Sequence, residues 1–131
     1  MPEKAPPASS ALGEAPWRLR FAKRILQEDL REIGHAAYET AKKAIDQKLR
    51  THPEQYGEPL RAPLQSLFKL KSSHVRIAYH VERSAHEVWI LMIGDRSVIW
   101  RHHEKDVLRR LNEMRQERSR RTQDKKTQAE P

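Results

Sequence analysis

Cysteine is absent from the 131-residue chain, and glycine and apolar residues are scarce, with four glycines, 6 % aromatic and 37 % hydrophobic residues. Without cysteine there is no disulfide framework, no thiolate metal site and no thiolate nucleophile. No stretch approaches the roughly 18–20 consecutive apolar residues of a membrane span, so no membrane association is expected. The first residues lack the apolar core of a secretory signal, which makes the cytoplasm the expected location. Charge, by contrast, is abundant. Asp, Glu, Lys and Arg make up 34 % of the chain, with 26 Lys+Arg against 18 Asp+Glu and a formal net charge of +8. Such an excess suits a polyanionic partner but names no function by itself.

The shortage of apolar residues is concentrated at the two ends. MPEKAPPASSALGEAP is rich in proline and offers only Leu12 beyond Ala and Met, too little to offset the entropy of ordering it. Residues 1–16 therefore read as a flexible leader. MRQERSRRTQDKKTQAEP has nothing apolar after Met114 except Ala129, so residues 115–131 read as a charged basic tail. Between them, residues 17–114 form one domain-sized segment of ordinary composition.

Within that segment the period of the pattern changes in a readable order. Trp17, Leu19 and Phe21 alternate with Arg18 and Arg20, as in a half-buried strand. Leu26, Leu30 and Ile33 then share one helix face, stopped by Gly34. Tyr38, Ala41, Ile45 and Leu49 make a second helical stripe, which must end near His52-Pro53 because the residue before proline is pushed out of the helical region. Pro53, Gly57, Pro59 and Pro63 mark a loop. Ser66–Lys71 and Val75–Glu82 alternate, and Val88–Ile93 is an unbroken apolar run, as in a central strand covered on both faces. Val107, Leu108, Leu111 and Met114 give a last helical stripe. The order is β-α-α-β-β-β-α, an α+β domain with an antiparallel twisted sheet and a helical pair on one face.

The segment from His52 to Arg96 resembles the RelE/ParE superfamily of bacterial type II toxins. The features that carry the likeness are His52-Pro53 at a helix end, Gly57, Leu60-Arg61, and a basic strand with Lys69 and Lys71. Arg76-Ile77-Ala78-Tyr79 and the strand end Gly94-Asp95-Arg96 complete it. The likeness spans roughly Trp17 to Leu111; the leader and the basic tail are not part of the family's usual pattern. RelE-like members cleave messenger RNA in the ribosomal A site, whereas ParE-like members inhibit DNA gyrase and lack the nuclease residues. The resemblance thus implies either a ribosome-dependent mRNA endonuclease or a gyrase inhibitor. A degenerate toxin kept as a nucleic-acid-binding protein is a further alternative.

For the nuclease, the resemblance implies a metal-free reaction without a cofactor, in which a 2′-OH attacks the adjacent phosphate. Such a reaction needs a proton acceptor, cations for the extra phosphate charge and a proton donor for the leaving oxygen. On the family's pattern Arg76 and Arg96 would hold the scissile phosphate. Lys69 would take part in proton transfer, and Lys71 and Arg61 would hold RNA. His102 or His103 stands where RelE-like enzymes keep a tyrosine or histidine, and Trp100 could stack on a base. Each has a plainer reading: Lys69 and Lys71 as the polar half of a strand, Arg96 as a turn residue, Trp100 as core cover. Position 67 is leucine where RelE proper has a further lysine. His35, His52, His74, His80 and His86 form no constellation. The implied partners are a cognate antitoxin, the ribosome with its rRNA and mRNA, and operator DNA through the antitoxin.

Overall fold

A computed structural model describes residues 16–60, 67–96 and 104–129, with side chains through Arg121. Strand β1 (Arg18–Phe21) opens the domain. A wide π-type turn, Ile25–Asp29, leads into helix α1 (Leu30–Ala44), and a second, Ile45–Leu49, closes it. A one-turn helix α2 (Pro53–Tyr56) and a two-residue strand β2 (Glu58–Pro59) follow. Then come β3 (Leu67–Ser72), β4 (Val75–Glu82), β5 (Glu87–Asp95) and the long helix α3 (Glu104–Ala129).

The strands form one sheet in the order β1-β5-β4-β3-β2. The helical stretch carries the chain from β1 to the far edge, and the β3-β4-β5 meander steps back until β5 lies beside β1. This leaves β1 parallel to β5, whereas the other pairs are antiparallel as expected. The apolar run Val88–Ile93 lies in β5, with strands on either side of it, and is buried throughout. Helix α1 packs on β3, β4 and β5, over the face that carries Leu70, Ile77, Tyr79, Ile90 and Ile93. Helix α3 covers the opposite face, where Trp89 lies fully buried and Arg118 reaches Glu87.

Glycine is required at two places, for different reasons. Gly34 sits at φ +88° and ψ 164° inside the helical stretch and breaks it where the periodicity predicts. Only glycine adopts that conformation without strain, although the space around it is open. At Gly57 the constraint is room: a Cβ there would stand 1.8 Å from Tyr79 Oη and 2.7 Å from its Cζ. The Tyr79 hydroxyl donates to the carbonyl of Pro53, and its ring stacks on Phe68 with centroids 5.5 Å apart. Pro53, Gly57 and Tyr79 thus form a lock that fixes the chain between α1 and β3. The segment expected as a plain loop therefore contains α2 and β2, because this lock holds it against the sheet.

Helix α3 is anchored by a buried ion pair. Arg110, 1 % exposed, donates from Nη1 and Nη2 to the two Asp29 oxygens at 2.8 and 2.9 Å. Asp29 also accepts the Ile93 N–H at 2.9 Å, and Arg110 donates to the Leu91 carbonyl at 2.9 Å. Strand β1 stops at Phe21, so these β5 groups lie beyond its pairing with β1, and the ion pair satisfies them instead. Burial pushes the Asp29 carboxyl up, against the pull of Arg110. For Arg110, burial is the largest single influence and opposes the charge, but the hydrogen bonds to Asp29 together with the charges of Asp29, Asp106 and Glu28 outweigh it and hold the guanidinium protonated.

Candidate nucleic-acid interface

Alternation along β3 and β4 sorts the candidate cations onto one face. Val75 and Ile77, the neighbours of Arg76, are buried under α1 at 1 % and 0 % exposure. Arg76 therefore projects from the opposite face, the one partly covered by α3. Lys71 is its cross-strand partner on β3, and Lys69 stands two residues along on the same face. On the other side of Arg76 the partner is Gly94, which carries no side chain. Just past β5, the Arg96 N–H donates to the His74 carbonyl at 2.9 Å, which extends the β4–β5 ladder by one step. That register puts Arg96 on the same face, diagonal to Arg76. Four of the predicted cations, Lys69, Lys71, Arg76 and Arg96, are thus brought together at one end of the sheet.

Their electrostatics differ. Arg76 donates from Nη1 to the Ser73 and Val75 carbonyls, both at 2.9 Å, which fixes its guanidinium against the β3–β4 turn. Among the described residues no carboxylate pairs with it. Lys69 and Lys71 share one carboxylate: Glu58 lies 3.8 Å from Lys69 Nζ and 3.6 Å from Lys71 Nζ. Glu58 was not among the residues singled out from the sequence. Its only signal there is a lone acid between Gly57 and Leu60 in a basic neighbourhood; its register opposite Lys69 appears only through the β2–β3 pairing.

The remaining predicted residues divide in two. Arg61, Trp100, His102 and His103 lie outside the described residues. Leu67, the departure from the RelE pattern, is fully buried, so apolar packing occupies the place of the expected lysine. Two histidines pack against tryptophan rings. His86 stacks on Trp17 with centroids 4.0 Å apart, and His80 is 8 % exposed against Trp89. His80 Nε2 lies 3.1 Å from Glu82, whose carboxyl is held below its ordinary range by Ser84 first and His80 second. Among the described residues no group of three or more His, Asp or Glu side chains is arranged to hold a metal ion. No described helix is long and apolar enough to cross a membrane.

A cavity of about 230 Å³ between β5, α3 and the first helical turn has the opposite character. Glu28, Asp29, Glu32, Asp95 and Asp106 line it beside Arg110. A polyanion would be repelled there, so the basic face, and not the cavity, is the candidate surface for nucleic acid.

No protein-family model and no curated protein matches the chain. Solved structures do. The Mycobacterium tuberculosis toxin–antitoxin complex RelBE2 matches with a TM-score of 0.57 and 23 % identity, over 63 % of this chain and 94 % of that one. A double mutant of Escherichia coli toxin RelE in the free state matches at 0.51 and 24 %, over 72 % of this chain and 93 % of that one. The same mutant in complex with an antitoxin RelB peptide matches at 0.51 and 26 %, over 65 % and 90 %. The chain has a RelE-like toxin fold. The expected α+β architecture and the family likeness read from the motifs both agree with this.

Proposed function

We propose that the protein is the toxin of a type II toxin–antitoxin pair and cleaves messenger RNA on the ribosome without a metal ion or other cofactor. The observation that supports this best is the basic face itself: Lys69, Lys71, Arg76 and Arg96 on one rigid sheet surface, with Glu58 as the carboxylate among them. The chemistry follows from those groups. A base removes the proton of a ribose 2′-OH, the O2′–P bond forms, and the P–O5′ bond breaks. The products are a 2′,3′-cyclic phosphate and a 5′-OH that takes up a proton. Arg76 and Arg96 carry the extra negative charge of the pentavalent phosphate, a task for fixed cations. Glu58, the carboxylate beside Lys69 and Lys71, is the base on this face. One of His102 and His103 returns the proton to the leaving oxygen. Lys71 and Arg61 hold the flanking RNA, and Trp100 stacks on a base.

The partners follow from the same reading. A cognate antitoxin is supported by the structural relatives solved as toxin–antitoxin assemblies. Ribosome and message are the substrate, operator DNA is reached through the antitoxin, and the site of action is the cytoplasm. One observation favours a second reading, a ParE-like gyrase inhibitor without nuclease activity: Leu67 is buried where RelE proper has lysine. Controlled expression separates the two. The nuclease reading predicts growth arrest with truncated messages, lost in Arg76→Ala; DNA-damage signalling with intact messages would establish the gyrase reading instead.

A further inference from the structure

The sheet-facing stripe of α3 changes its chemistry partway along. Val107, Leu111 and Met114 are buried, at 0 %, 2 % and 4 % exposure, in steps of four and three residues. The same register continues through Arg118, Arg121 and Lys125. Arg118 still reaches the sheet, with Nη1 3.4 Å from Oε1 of Glu87, the first residue of β5. Past it, Ser119, Arg120 and Arg121 are exposed while the helix continues to Ala129. At 1.5 Å per residue the extension beyond Arg118 is about 16 Å long. Glu117 and Asp124, the acids of this segment, stand seven residues apart and off that register.

The composition of the extension decides what it fits. After Met114 the chain has no Val, Leu, Ile, Phe, Tyr or Trp. A protein partner would need an apolar centre to its interface, which this helix does not provide. A phosphodiester backbone needs only cations at regular spacing. The extension also lies far from Arg76 along the sheet. Arg76 pairs with Gly94, whereas Arg118 sits at Glu87, at the other end of the same strand. At ~3.3 Å per residue the two are roughly 20 Å apart along β5.

We propose that the C-terminal part of α3 is a second RNA-docking element, which lays the part of the stripe past Arg118, namely Arg121 and Lys125, along the phosphate backbone of a structured RNA. The proposal goes beyond the cleavage reading and does not depend on it. Two charge-matched double variants of the full chain test it, Arg121→Glu with Lys125→Glu on the stripe and Arg120→Glu with Lys126→Glu off it. Binding to a fluorescent RNA hairpin is followed by anisotropy across a salt series, with circular dichroism to verify folding. The stripe variant is expected to lose about tenfold or more in affinity and to flatten the log–log salt dependence by ~1.5, as for two lost phosphate contacts. The off-stripe variant is expected to lose less than about threefold, since its charges do not meet the backbone. Equal losses in both variants, no loss in the stripe variant, or tighter binding to a DNA duplex than to the hairpin would overturn the proposal. Message cleavage, read separately with Arg76→Ala, reports on the other end of the sheet, so failure of one reading leaves the other standing.

Discussion

Replacing Gly57 by alanine tests the lock that holds the loop before β3. The added Cβ would overlap the Tyr79 hydroxyl at 1.8 Å and its Cζ at 2.7 Å. The tyrosine cannot simply swing away, because it is fully buried and its hydroxyl is bonded to the Pro53 carbonyl. Overpacking of this kind costs ~1–3 kcal/mol. Loss of the Tyr79–Pro53 hydrogen bond adds ~1 kcal/mol, so Gly57→Ala is expected to destabilise the domain by ~2–4 kcal/mol in total. Tyr79→Phe alone removes only the hydrogen bond, at ~1 kcal/mol. In the double variant the closest clashing atom is gone, so its cost falls short of the sum of the two singles by ~1 kcal/mol or more. Urea unfolding followed by tryptophan fluorescence gives all three values. Strictly additive effects would refute the contact, and a neutral Gly57→Ala would refute the lock. The lock bears on the site as well, since Glu58 follows Gly57 directly.

The anchor and the surface ion pairs make further expectations. Asp29→Ala strands the buried Arg110 guanidinium and the Ile93 N–H, so it should cost ~3–5 kcal/mol in urea unfolding; a loss below ~1 kcal/mol would mean that α3 is held in some other way. Gly34→Ala forces an L-residue to φ +88° and should cost ~1–3 kcal/mol, whereas an unchanged midpoint would place the helix break elsewhere. Arg24, by hydrogen bonding first, holds the Glu113 carboxyl below its ordinary 4.5. A lowered folded value means stability that is present above 4.5 and lost as pH falls through the folded value. The stability gap between wild type and Glu113→Gln should accordingly be present at pH 7 and close on acidification, and a gap constant with pH would contradict it.

Much of the fold was legible in the sequence, because each element announces itself by local periodicity. The run Val88–Ile93 could only be a strand covered on both sides, Gly34 and His52-Pro53 are strong stops, and the stripe Val107–Leu111–Met114 needs a surface to cover. What escaped were long-range pairings. Strand β2 is two residues long and exists only because Glu58 and Pro59 lie opposite Lys69 and Phe68. The parallel direction of β1 depends on where the helices return the chain. The Asp29–Arg110 pair joins residues 81 positions apart and leaves no local pattern. The site shows the same division. Lys69, Lys71, Arg76 and Arg96 could be placed by alternation and motif, but Glu58 joins them only through pairing across the sheet. Part of the motif also changes meaning: Pro53, Gly57 and Tyr79 serve the packing of the loop, and the charge on the sheet face is left to the arginines and lysines.

The central claim, a basic sheet face that cuts message on the ribosome, is tested most directly by primer extension on purified ribosomes programmed with a defined message. Wild-type protein is predicted to cut at the A-site codon and leave a 2′,3′-cyclic phosphate, with cutting reduced by ~10³-fold or more in Arg76→Ala with Arg96→Ala, as for removal of transition-state charge donors. An intact message with the wild type, or equal cutting by the double variant, would contradict it.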